Sequence, residues 1–148
     1  MLVSGEKKEK IRQLAIQNGF QFCGFAKAEF LETEARQLEA WLSAGNHGKM
    51  SYLENHFEKR TDPRLLVENC KTVISLAINY FPAKEHKQPA DAPRISMYAW
   101  GEDYHHVIRQ KLNRLFQQIQ EEFGEISGRG FVDSAPVLEK TGALQRGL

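Results

Sequence analysis

Three short segments hold most of the residues in this chain whose type and spacing suit chemistry. The first is Tyr98-Ala99-Trp100-Gly101-Glu102-Asp103-Tyr104-His105, which passes through a glycine turn into the first turn of an expected helix. A helix start presents free N–H groups and a positive dipole end, so it is suited to an anionic or polar ligand. The plain structural reading makes Asp103 a helix cap and the aromatics a core edge, and spacing alone favours it. The second segment, Phe131-Val132-Asp133-Ser134-Ala135-Pro136, sets a carboxyl between an expected strand and an expected helix start. A carboxyl partly desolvated at such a junction is suited to general-acid work. Its structural alternative, a cap on the following helix, suits Ser134 better: with Asp133 as cap, Pro136 would occupy the third helical position and offer no N–H. The third, Trp41 to Met50, is a helix end followed by His47 between Gly45 and Gly48, where a lone histidine is ordinarily a solvated side chain.

Other chemistries find no support. The five histidines contain no H-x-x-x-H pair, and the adjacent His105 and His106 point about 100° apart on a helix, so no histidine-only metal site is expected. Cys23 and Cys70 are far apart, sit among apolar neighbours and read as buried, reduced thiols that could hold no cluster without borrowed ligands. Neither a nucleophile elbow nor a phosphate-binding glycine loop is present.

The elements that must position these residues follow from periodicity. Helices are expected at Glu6–Gln17, at Glu32–Ala44 and, the longest, at Asp103–Phe123, with a helical turn at Met50–Leu53 and a short helix at Arg64–Glu68 after Asp62-Pro63. Strands are expected at Phe20–Ala26, at Thr72–Tyr80 as a central strand covered on both faces, at Ile95–Ala99 and at Phe131–Asp133, with a final helix from Val137 onward. A long polar loop, Pro82 to Arg94, separates the second strand from the third. This order predicts an α+β fold, a small mixed or antiparallel sheet with flanking helices, containing a ferredoxin-like β-α-β-β-α-β pattern.

With 148 residues, 41% hydrophobic and 26% charged, the chain reads as one globular domain, residues 1–148. The formal charge of +1 gives no bulk electrostatic case for nucleic acid or an anionic membrane, so any such partner needs a local patch. No signal-peptide stretch or spanning apolar run is present, which predicts a soluble, cytoplasmic protein with no membrane partner.

The segments Trp41 to Met50 (W-L-x-A-G-x-H-G-x-M), Val73 to Tyr80 (V-I-S-x-x-x-N-Y), Tyr98 to His105 (Y-A-x-G-x-D-Y-H) and Phe131 to Glu139 (F-V-D-S-A-P-x-L-E) resemble, in order and spacing, the N-terminal domain of the epoxyqueuosine reductases. The resemblance implies a cobalamin-dependent iron-sulfur oxidoreductase that reduces epoxyqueuosine at the wobble position of tRNA to queuosine, with Asp133 as proton donor. It places Tyr98, Gly101, Asp103, Tyr104, His105, Ser134, His47 and Met50 at the cobalamin and substrate cleft. The 4Fe-4S clusters it implies belong to a ferredoxin-type domain downstream, which these residues lack, so the isolated chain is expected to be a monomeric, inactive part of the enzyme. Met97 departs from the family, where that position is commonly basic. A stand-alone corrinoid- or nucleotide-binding module is the alternative, and a small α+β enzyme using Asp133 without a corrinoid is a third reading.

Overall fold

A computed structural model describes residues 4–81, 91–133 and 135–138 of the chain. The first helix, α1 (Gly5–Gln17), turns Ile11 and Ala15 inward, 4% and 0% exposed. It ends at Asn18, and Gly19 takes φ 85°, a left-handed value that glycine adopts without a side-chain clash. Asn18 ties this end to the distant long helix: its Nδ2 donates to Leu14 O at 2.8 Å and to Gln118 Oε1 at 2.6 Å, and Lys111 Nζ donates to its carbonyl at 2.9 Å. Strand β1 (Phe22–Lys27) follows, then α2 (Glu32–Ser43), a 3₁₀ turn at Ser51–Leu53, α3 (Phe57–Thr61), a second 3₁₀ turn at Pro63–Leu65 and β2 (Thr72–Ala77). Beyond a third 3₁₀ turn at Met97–Ala99 runs α4 (Tyr104–Phe123).

The sheet is two-stranded: β1 and β2 pair antiparallel from Phe22 opposite Ala77 to Lys27 opposite Thr72. α1 packs on β1 and on α4. The buried centre joins Ile11 and Ala15, Phe20 and Phe25, Leu115 and Ile119, with Leu14, Cys23, Ile74, Leu76 and Leu112 half-buried around it. Each large apolar side chain buried there contributes about 1.5–3 kcal/mol. The fold is α+β, as the element order predicts.

Three expected strands differ from what forms. β2 stops at Ala77 instead of Tyr80, because Asn79 N donates to Gln21 Oε1 at 2.8 Å and Phe81 N to Asn79 Oδ1 at 2.9 Å, so side chains take the place of a ladder. It is half-buried throughout and, among the described residues, pairs with β1 alone instead of lying between two strands. Ile95–Ala99 forms no strand: Ala99 N turns back to Ser96 O, and Trp100 Nε1 donates to Ile95 O at 3.1 Å. Phe131–Asp133 belongs to a non-helical return segment after α4 that lies against that helix instead of a sheet edge. Side chains at Gly128 and Gly130 would meet Phe116 Cε2 at 2.7 Å and Leu112 Cδ1 at 3.4 Å. The described residues form two strands and not the four of the expected ferredoxin-like pattern.

Asp62 does cap a helical turn, its Oδ1 accepting from Arg64 N at 3.0 Å, but that turn is 3₁₀ and covers Pro63–Leu65 instead of Arg64–Glu68. The five-residue α3 has no periodicity to announce it. Thr61 pins it, fully buried, with Oγ1 donating to Phe57 O at 3.0 Å and its carbonyl accepting from Leu31 N at 2.8 Å. Residues 82–90 of the expected polar loop, Ser134, and all but the first two residues of the expected last helix lie outside the described residues; Val137 and Leu138 are not helical. Among the described residues no helix is long and apolar enough to cross a membrane.

Candidate active site

The N-terminus of α4 and the return segment bring two of the sequence-selected regions together. Asp103 is the helix cap, its Oδ1 accepting from His105 N at 3.0 Å. The same oxygen lies 2.9 Å from His105 Nδ1, and that contact, with the backbone bond, holds the Asp103 carboxyl below its ordinary range. The cap reading of this turn is met, and Asp103 does more than cap: it fixes the helix start and also orients the His105 ring.

That ring presents its other nitrogen to Asp133, with Nε2 3.4 Å from Oδ2. The Tyr104 hydroxyl donates to the same Oδ2. Donating to a carboxylate stabilises the phenol over the phenolate, and this bond, ahead of burial and the nearby negative charge, pushes Tyr104 up to about 12. The Tyr104 and His105 rings stack with centroids 4.0 Å apart, and Tyr98 meets Tyr104 edge-on at 6.1 Å. Asp133 adopts φ 50°, a left-handed conformation that aspartate and asparagine tolerate better than most residues. Gly101, at φ 83°, makes the turn that leads into the cap. The desolvation expected of Asp133 is not found: its side chain is 48% exposed, because the segment lies on the surface of α4 and not at a strand end under a helix.

His47 and Met50 form a separate locus. The lone-histidine expectation is corrected here, for the His47 side chain is 12% exposed instead of solvated. Its Nε2 lies 2.7 Å from Glu54 Oε1, its ring centroid is 6.1 Å from that of Trp41, and its Nδ1 is buried with no hydrogen-bond partner. Gly45 and Gly48, both at positive φ, shape the loop that turns the ring inward. Met50 is 45% exposed, and its Sδ accepts from Tyr52 Oη at 3.7 Å. Among the described residues no hydrogen bond or ion pair joins His47 to the Asp133 group.

Cys23 and Cys70 are free thiols, both half-buried. Burial pushes Cys23 up to about 11 against the opposing pull of Arg12. Among the described residues no three His, Cys, Asp or Glu side chains gather as a metal site. One feature escaped sequence reasoning: a cleft of about 420 Å³ beside the return segment, carrying Lys59, Arg109 and Arg129. These cations come from three elements and share no motif, so no sequence signal groups them.

The chain is similar in sequence and in fold to known proteins. The family model described as "Epoxyqueuosine reductase QueG, DUF1730" matches residues 60–134, a stretch that includes the α4 cap and Asp133. The chain is 52% identical over 142 residues to the epoxyqueuosine reductase of Leadbetterella byssophila, covering 95% of this chain and 46% of that protein. It is 55% identical over 138 residues to that of Cellulophaga algicola, covering 93% and 44%. The structure of the Streptococcus thermophilus epoxyqueuosine reductase superposes with a TM-score of 0.80 at 28% identity, over 92% of this chain and 37% of that one. An epoxyqueuosine reductase solved with an epoxyqueuosine-modified tRNA-Tyr stem loop superposes with a TM-score of 0.78 at 26% identity, over 95% and 38%. The chain thus spans less than half the length of the curated relatives it matches.

Proposed function

The chain belongs to the epoxyqueuosine reductase family, and from that premise we propose that it forms the proton-donating part of an enzyme reducing epoxyqueuosine in tRNA to queuosine in the cytoplasm. The observation that carries the assignment is the convergence of Tyr104 and His105 on one oxygen of Asp133. Reducing the epoxide to an alkene takes two electrons and two protons: both C–O bonds break, and the oxygen leaves as water. Negative charge gathers on that oxygen as the first bond opens, and a positioned acid that protonates it lowers the barrier. Asp133 is that acid in this reading. Asp103 holds the His105 ring so that Nε2 faces the carboxyl. Tyr104, pushed up to about 12, keeps its proton near neutral pH and serves as a standing donor to Asp133 once the carboxyl has given its own away.

The electrons come from outside these elements. A corrinoid carries amide side chains with N–H donors, and the buried, unpartnered Nδ1 of His47 is an acceptor of the kind such a donor would meet. His47 and Met50, with Tyr98 and Gly101 from the other motif, are the residues that would hold cobalamin, which when bound supplies reducing equivalents to the epoxide. Two cysteines do not make a ligand set for a 4Fe-4S cluster. Such clusters therefore belong, in this reading, to a part of the protein beyond the chain, and the 148 residues alone do not turn over.

The test is Asp133→Asn in the full-length reductase that contains this chain. Asparagine tolerates the left-handed backbone but cannot donate a carboxyl proton. Single-turnover reduction of epoxyqueuosine-bearing tRNA should fall by about 10²- to 10⁴-fold, the usual worth of a positioned acid, with tRNA and cobalamin binding retained. An unchanged single-turnover rate removes Asp133 from the role.

A further inference from the structure

The joint where α1 ends against α4 is made from two neighbouring residues that are reactive as a pair. Asn18-Gly19 is the one Asn-Gly step in the sequence. Each residue is there for a structural reason. The helix closes with Gly19 N donating to Ile16 O at 2.9 Å and Phe20 N to Ala15 O at 3.0 Å, a double closure that calls for a left-handed residue at position 19. Glycine supplies it at φ 85°, and a Cβ there would stand 2.7 Å from Lys111 Nζ and displace the bond that this lysine makes to Asn18 O. Asn18, 9% exposed, uses its carboxamide as a donor to two acceptors, Leu14 O on its own helix and Gln118 Oε1 on α4. The joint thus calls for an asparagine followed by a residue without a side chain. That is also the pair in which a backbone nitrogen reaches a side-chain amide with least hindrance.

We propose that Asn18-Gly19 is a latent site of spontaneous deamidation, held unreactive while α1 is docked on α4 and open to reaction when the two part. In the reaction the Gly19 amide nitrogen attacks Asn18 Cγ and gives up its proton; the new C–N bond closes a five-membered imide, the Cγ–Nδ2 bond breaks, and ammonia leaves with that proton. Water then opens the ring at either carbonyl, giving aspartate or isoaspartate. The docked joint opposes each requirement. The attacking nitrogen is engaged by Ile16 O, the leaving Nδ2 is held from two sides, and Asn18 ψ, at 3°, must rotate until Gly19 N eclipses Cβ. Either product loses the amide donor and sets a carboxylate against Leu14 O and Gln118 Oε1, while isoaspartate also inserts a methylene into the main chain ahead of the buried Phe20. The change is one-way, so residue 18 accumulates a record of how often α1 leaves α4.

The experiment follows position 18 in the full-length protein that contains this chain, incubated at neutral pH beside a synthetic peptide of residues 14–22. Peptide-resolved mass spectrometry with isoaspartyl methyltransferase labelling reads aspartate and isoaspartate. The free peptide should deamidate readily, and the folded protein at least about a hundredfold more slowly, because attack waits on an opening populated about 1% of the time or less. Urea below the unfolding transition should raise the protein's rate as it favours opening, and leave the peptide's rate nearly unchanged. Gln118→Met removes one acceptor from Asn18 Nδ2 and should speed deamidation about fivefold, the worth of one hydrogen bond. Gln117→Met, exposed on the same helix, should react as wild type. Should Gln118→Met not fold, the urea series decides. A peptide that stays intact overturns the reactivity, and a folded protein that deamidates as fast as the peptide overturns the protection. A rate indifferent to urea, or to the lost acceptor in a folded Gln118→Met, overturns the control by the α1–α4 joint.

Discussion

The layer formed by α1, the β1–β2 pair and α4 and the polar margin around Asp133 are built on opposite terms. In the layer, position is set by burial: Ile11, Ala15, Phe20, Leu115 and Ile119 are each 7% exposed or less, and regular backbone hydrogen bonds do the rest. Along the margin, position is set by backbone turns and single polar contacts. Among the described residues, the positive-φ positions other than glycine are His56, Asn69 and Asp133, and all three lie outside regular elements. Close packing makes the first region insensitive to surface chemistry and costly to hollow out. The second can change its side-chain chemistry at little cost to folding, which is where a reacting group is best kept.

The sharpest way to break this contrast is Leu115→Ala. Removing most of a side chain 3% exposed should cost about 2–5 kcal/mol, read as a lowered urea midpoint with an unchanged slope. A cost comparable to that of a surface substitution would mean that the layer is not the stabilising region. Next in size is the reactivity of Cys23, which lies in β1 on that layer. With its thiol pushed from 9.0 to about 11, thiolate at pH 8 is roughly a hundredfold scarcer than in the unfolded chain, and alkylation should slow by the same factor. The rate should climb as pH rises toward 11; mass-spectrometric rates of iodoacetamide labelling in native and unfolded protein measure both. The smallest effect belongs to the margin: Asp133→Asn should leave stability within about 0.5 kcal/mol. In the same variant Tyr104 should move down from about 12 toward the ordinary phenol range, since the carboxylate that favours its protonated form is gone; the phenolate absorbance records it.

This contrast also explains what was legible in the sequence. α1, α2 and α4 form within about a residue of where the apolar spacing sets them, because burying one face is both the signal and the cause. The expected strands at Ile95–Ala99 and Phe131–Asp133 are apolar runs that take other courses, the first closing a 3₁₀ turn and the second belonging to a segment that packs on side chains of α4. Composition does not distinguish a run that finds a ladder partner from one that does not. At the site, Asp103, Tyr104, His105 and Asp133 are readable as candidates from their places at element ends. That Tyr104 and His105 both reach Asp133 is not readable, since the contact closes over 29 residues of sequence. The cations of the basic cleft are less readable still, each being an ordinary surface charge until three elements converge.

The return segment beside α4 makes the position of Asp133 a matter of matched lengths. The helix carries the chain away for 20 residues, about 30 Å at 1.5 Å per residue. Residues 124 to 133 bring it back over a comparable distance at up to about 3.3 Å per residue, with Gly128 and Gly130 lying flush on the helix like marks on a ruler. The two legs end level, and Asp133 arrives beside the residue with which α4 began. A family member that lengthened α4 by one turn would have to add two or three residues to the return, or its carboxyl would stop a turn short of the tyrosine.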